Sequence, residues 1–232
     1  MKDKGYRIAL IGLDGSGKSA NIDRMKKDPD YRLFDFLWVR WKPTLLKPAY
    51  LIMQGKVNKS KEIASARSEN QKRSEEQQKL NADYNKKSSL KSKVFKNPVV
   101  RRLWIFAATF DYFFQFYFKT VKYLIKRKNI IFDRFYLDLY VDQGINFNYS
   151  PAQIEKEISR HKKLFPSIDK VVYIRVSPET CYKRKDDIPN MDYLEKRFEI
   201  YEHLARKHKW KAVDGEQPFD TVYSDIKKII LK

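Results

Sequence analysis

Gly12-Leu13-Asp14-Gly15-Ser16-Gly17-Lys18-Ser19 fits the pattern G-x-x-x-x-G-K-[ST] without a mismatch. Glycine is otherwise scarce. The chain holds only 7, and 4 of them fall in the first 17 residues. The apolar run Tyr6–Ile11 precedes the motif, and residues 18–28 read as a helix after it. A strand, a glycine loop and a helix in that order make a phosphate cradle. The glycines let successive backbone amides turn inward, and the following helix adds its positive end. Gly12, Asp14, Gly15, Ser16, Gly17, Lys18, Ser19 and Ala20 are therefore the candidate nucleotide-binding residues. Lys18 supplies a mobile ammonium for phosphate oxygens, and the Ser19 hydroxyl is a ligand suited to Mg²⁺.

Outward from the loop, strands and helices alternate. Further strands are expected at Leu33–Arg40, Asn129–Asp133, Lys170–Val176 and Trp210–Val213. Helices are expected at Pro151–Leu164, Met191–Lys207 and from about Pro218 to Leu231. Strands separated by helices need crossover connections, which implies a parallel sheet covered on both faces. The expected class is α/β, with a five-stranded parallel sheet flanked by helices and one domain over residues 1–232. Asn129–Asp133 is an apolar strand ending in a carboxylate. Ligands in such sheets sit beyond the carboxyl ends of the strands, so Asp133 is a candidate Mg²⁺ contact beside Ser19. Arg134 follows it with a fork suited to phosphate.

Two segments interrupt this pattern. Lys56–Arg102 holds 14 Lys or Arg against 5 Asp or Glu and few large apolar residues. It is expected to be a basic helical insertion at about residues 55–100, with a solvated charged face as the plainer alternative. Then come nine aromatics in the fifteen positions Trp104–Phe118, with Asp111, Gln115 and Lys119 at four-residue spacing. A helix with one polar stripe and an otherwise apolar surface reads as a core or pocket wall, and secondarily as a helix against a membrane surface.

Composition bounds the rest. The 232 residues include 42% apolar and 15% aromatic residues, enough for a core without disulfides. The single cysteine excludes a disulfide framework within the chain and fits a reducing compartment. Ile8–Leu13 is too short for a signal-peptide core, and no run of about 18 apolar residues reads as a membrane span. The expected localisation is cytoplasmic, with peripheral membrane contact left open. The formal charge of +20 favours polyanionic or phosphorylated partners. Lysine is spread along the whole chain, so no specific nucleic-acid partner is expected. An anionic membrane surface contacted through the basic insertion, and a homodimer, stay open.

The ordered motifs resemble the thymidylate kinase family of P-loop nucleoside monophosphate kinases. GLDGSGKS resembles its phosphate loop, and PVVRRLWIFAATF its helix of the form LLLFAADR. DRFYLDLYVDQG resembles its DRY…AYQG segment, and VVYIRVSPETCYKR its strand and Pro-Glu motif ending in Arg. FEIYEHLA and VDG resemble its closing helix and adenine-side loop. The resemblance implies a P-loop kinase fold and Mg²⁺-dependent transfer of the ATP γ-phosphoryl group, most readily to a nucleoside monophosphate. A non-nucleotide acceptor, a glycan or lipid-linked alcohol at a membrane surface, is the alternative. Lys18, Asp133, Arg134 and the lid arginine Arg184 would then be catalytic. Asp14, Arg40, Phe110, Arg134, Asp142 and Gln143 would line the acceptor site. Phe110 and Asp142 stand where the family has a base-reading arginine and a tyrosine. Those two departures point away from dTMP as the acceptor.

Overall fold

The computed structural model describes residues 5–54, 78–79, 81–82, 84–85 and 93–231. Most of the expected insertion at 55–100 lies outside the described residues. Its described members at 78–79, 81–82 and 84–85 are helical.

Five strands form one parallel sheet: β1 Arg7–Gly12, β2 Phe34–Trp38, β3 Asn129–Asp133, β4 Lys170–Arg175 and β5 Lys211–Asp214. The spatial order is β2-β3-β1-β4-β5. The centre is the most apolar part, as expected where helices cover both faces. Ile8, Ala9, Leu10 and Ile11 of β1 and Ile130, Ile131 and Phe132 of β3 are fully buried. The register pairs Leu10 with Asp133 and Gly12 with Ile174. The glycine loop and Asp133 therefore emerge side by side at the carboxyl edge of the sheet.

Outside the insertion, the helices of the described residues are α1 Lys18–Met25, α2 Lys47–Gln54, α3 Pro98–Ile125, α4 Tyr136–Asn146, α5 Pro151–His161, α6 Pro178–Arg184, α7 Met191–His208 and α8 Phe219–Leu231. Their starts follow local chemistry. Asn97, Ser150, Ser177 and Asn190 each accept a backbone amide bond at an N-cap, and Pro98, Pro151 and Pro178 take the first helical position. Two expected helices are shorter than the sequence suggested. The first ends at Met25, ahead of the turn at Pro29, and α5 gives way to a 3₁₀ turn at Lys162–Leu164.

The aromatic helix α3 is only half a core element. Ile105, Ala108, Thr109, Tyr112 and Phe116 are buried. Phe116 meets Phe132, Phe135 and Phe165 at ring-centroid distances of 5.5–5.7 Å. Phe106, Phe110, Phe114 and Phe118 face out. No described helix is long and apolar enough to cross a membrane.

Candidate active site

The loop between β1 and α1 needs its glycines. Gly15 has φ +89°, and a Cβ there would lie 2.6 Å from the Cys181 carbonyl oxygen. Gly17 has φ +87° and caps α1 in the left-handed region, where other residues are strained. Ser16 is buried within the turn, and its amide donates to the Leu13 carbonyl at 3.1 Å. The Lys18 ammonium folds back over the loop. It donates to the Gly12 and Leu13 carbonyls at 2.8 and 2.6 Å and lies 3.4 Å from Ser16 Oγ. Burial, helped by the nearby Arg134 cation, lowers its pKa to about 8.

One cleft of about 450 Å³ brings the loop together with Arg40, Asp133, Arg134, Arg184 and Lys185. Ser19 and Ala20 line the same cleft and are exposed to it. Arg40 arrives from the end of β2, and Asp133 and Arg134 from the end of β3. Arg184 closes α6 and donates to the Gly215 carbonyl at 3.1 Å. Burial raises the Asp133 pKa, against the opposing charges of Lys18 and Arg134. Among the described residues, its carboxylate has no side-chain hydrogen-bond partner.

Arg134 is the organising cation. It sits at φ +65°, an uncommon conformation for a non-glycine residue, at the junction of β3 and α4. Its guanidinium is paired with Asp14 and lies 3.3 Å from Asp138 Oδ1. Burial would lower its pKa, but Asp138 and Asp14 raise it. For Asp14, burial pushes upward, yet Arg134, Lys18 and the Tyr193 hydroxyl hold the carboxyl far below its usual range. Tyr193 donates to Asp14 Oδ2 at 2.8 Å, and Tyr201 donates to Asp138 Oδ1 at 2.8 Å.

A second ion pair stands beside the first. Arg197 Nη2 is 2.5 Å from Asp142 Oδ1, and its guanidinium lies 3.7 Å from the Tyr193 ring centroid. Tyr193 also meets Tyr84 edge-on at 5.7 Å, and Asn190 Nδ2 donates to Asn81 Oδ1 at 2.8 Å. The described part of the insertion thus touches the start of α7 through Tyr84 and Asn81. Tyr84, Tyr193 and Tyr201 were absent from the expected site.

Two expected acceptor residues are placed differently. Phe110 is 51% exposed and packs between Phe106 and Phe114 on the outer face of α3. It does not wall the cleft. The helix turns Thr109 inward instead, where its hydroxyl meets the Tyr140 hydroxyl at 3.0 Å. Gln143 is buried and accepts from Trp104 Nε1 at 2.8 Å, which ties α3 to α4.

No protein-family model matches the chain. A thymidylate kinase of Prochlorococcus marinus (strain AS9601) is 28% identical over 109 residues, which is 44% of this chain and 51% of that protein. The match thus spans about half the length of that curated relative. Among solved structures, deoxyadenosine kinase from M. mycoides with bound dATP has a TM-score of 0.53 at 17% identity, covering 97% of this chain and 99% of that one. The same kinase with the products dCMP and a flexible dCDP has a TM-score of 0.51 at 20% identity, covering 97% and 98%. The chain has the fold of a P-loop kinase and resembles nucleoside and nucleotide kinases.

Proposed function

We propose that the protein transfers the γ-phosphoryl group of ATP to a phosphate-bearing acceptor of the nucleoside monophosphate class. The observation that carries this reading is the convergence of the glycine loop, Lys18, Asp133 and Arg134 in one cleft. The loop amides and Lys18 would hold the β- and γ-phosphates. Phosphoryl transfer depends on positioning and charge neutralisation, and Arg184 and Lys185 line the same cleft from the opposite side. Mg²⁺ fits Ser19 and Asp133. Both offer hard oxygen donors to one cavity, and the Asp133 carboxylate has no competing side-chain partner among the described residues. The ion would supply neutralisation of the phosphate charge.

The carboxylates favour a phosphate acceptor over an alcohol. An alcohol needs a base to accept its proton. Asp14 and Asp138 are both engaged by Arg134, and Asp142 by Arg197. A carboxylate whose oxygens are occupied by a guanidinium is a poor base. A phosphate acceptor already carries its nucleophilic oxygen and needs only a cation, which Arg134 and Arg40 offer.

ATP consumption measured with dTMP, the other nucleoside monophosphates, the corresponding nucleosides and no acceptor tests this reading. Turnover stimulated by a monophosphate other than dTMP is the expected result. Position 110, where the resembled family carries its base-reading arginine, holds an outward-facing phenylalanine here. Turnover with nucleosides alone would overturn the phosphate-acceptor assignment. A dTMP kcat/KM of roughly 10⁴ M⁻¹s⁻¹ or more would restore the plain thymidylate reading.

A further inference from the structure

We propose that a cavity walled by Tyr136, Phe165 and Trp210 binds a small planar aromatic acid. The cavity measures about 420 Å³. It lies between the start of α4, the segment that follows α5 and the turn between α7 and β5. It shares no lining residue with the phosphate cleft. Its floor is buried and apolar: Phe135, Leu137, Ile158 and Phe165. Tyr136, Val171 and Trp210 are half-buried walls, and the rim is exposed and polar. An apolar floor under a few polar groups is the ordinary make-up of a small-molecule site, and the volume is in the ordinary range.

Two ring stacks shape the interior. Tyr136 lies within 7° of parallel to Phe165, with centroids 4.8 Å apart. His208 stacks on Trp210 at 6.0 Å and 20°. Flat walls favour a flat ligand, which meets ring faces and edges. The rim sets its charge. Lys162, Lys163 and His208 stand there, and none of the described residues lining the cavity is acidic. Both lysines are exposed, and neither has a carboxylate partner among the described residues. The walls add hydrogen-bond donors. The Tyr136 hydroxyl and Trp210 Nε1 have no protein partner among the described residues. Burial pushes the Tyr136 pKa up to about 12, so its hydroxyl keeps its proton. A lining that offers donors and cations but no acid is complementary to a ring that carries a carboxylate, sulfonate or phosphate.

Fluorescence titration of the full chain with naphthalene-2-sulfonate tests this proposal, with 2-naphthol as the same ring without the acid group. One comparison protein carries Lys162→Glu and Lys163→Glu together. Both positions are exposed, and circular dichroism checks its fold. The parent is expected to bind the sulfonate more tightly than the naphthol. The double variant should bind the sulfonate at least roughly tenfold less tightly, because like charges then face the acid group. Its naphthol affinity should match that of the parent. Tyr136→Phe keeps the ring and should weaken sulfonate binding by roughly fivefold, the scale of one hydrogen bond. Equal sulfonate binding by the parent and the double variant would overturn the proposal. So would displacement of the sulfonate by ATP, which would place the probe in the phosphate cleft.

Discussion

The Arg134 guanidinium is paired with the Asp14 carboxylate, although 120 positions separate them in the chain. Asp14 comes from the glycine loop and Arg134 from the end of β3, so the pair spans the two central strands at the mouth of the cleft. Both side chains are largely buried, at 12% and 14% exposure. Arg134 also meets Asp138, so one cation serves two carboxylates. Arg134→Ala would leave both uncompensated. The expected loss is about 3–5 kcal/mol of stability, the usual cost of breaking a buried pair from one side. Asp14→Asn should cost less, because Arg134 keeps Asp138. Denaturant unfolding of the two variants ranks them, and an Arg134→Ala protein as stable as the parent would show that the pair is not buried in solution.

Asp133 should act through metal rather than through packing. Asp133→Asn keeps its shape and removes its charge. The Mg²⁺ concentration needed for half-maximal turnover is expected to rise at least roughly tenfold, as for loss of a metal-positioning group. Thermal unfolding should move little. A variant that titrates with Mg²⁺ as the parent does leaves Asp133 as a structural residue.

Lys18 gives the site a pH signature. Burial and the Arg134 cation hold its pKa down at about 8, below the 10.5 of the ordinary side chain. Between these values the unfolded chain binds more protons at this position than the folded one. The Lys18 contribution to stability therefore rises with pH across that window. Nucleotide affinity runs the other way. The free protein loses the ammonium as pH passes about 8, so ATP binding should weaken above it. A Kd for ATP that stays flat from pH 7 to 9.5 would contradict this.

The two faces of α3 should differ in energy. Phe116 is fully buried and Phe118 is 90% exposed. Phe116→Ala is expected to cost about 3–5 kcal/mol, and Phe118→Ala within about 0.5 kcal/mol of zero. Urea denaturation of the pair checks the rotation of the helix, and equal losses would mean that Phe118 is covered.

The strands were legible because buried parallel strands read as unbroken apolar runs. Asn129–Asp133 was bounded to the residue, and Lys170–Arg175 within one. The phosphate loop was legible because its chemistry is local, eight residues in a fixed spacing. The rotation of α3 was not. Tyr112 and Phe116 point in, while Phe110, Phe114 and Phe118 point out, so both faces are aromatic and the period carries no contrast. Phe110 was expected in the acceptor wall from the resemblance alone, and the sequence pattern held no contrast that could correct it. The surroundings of Asp14 were hidden for a different reason. Tyr193 reaches it across 179 positions and Arg197 reaches Asp142 across 55, so only the folded chain brings them together.

The central claim is that the glycine loop binds nucleotide for phosphoryl transfer, and Lys18→Ala tests it most directly. Its ammonium contacts only loop oxygens in the free protein, so the fold should survive its loss. Steady-state ATP turnover is measured in parent and variant beside their thermal unfolding. The variant is expected to unfold as cooperatively as the parent while its turnover falls by at least roughly two orders of magnitude, the scale of removing one charge-stabilising donor. Parent-like turnover in a folded Lys18→Ala protein would contradict it.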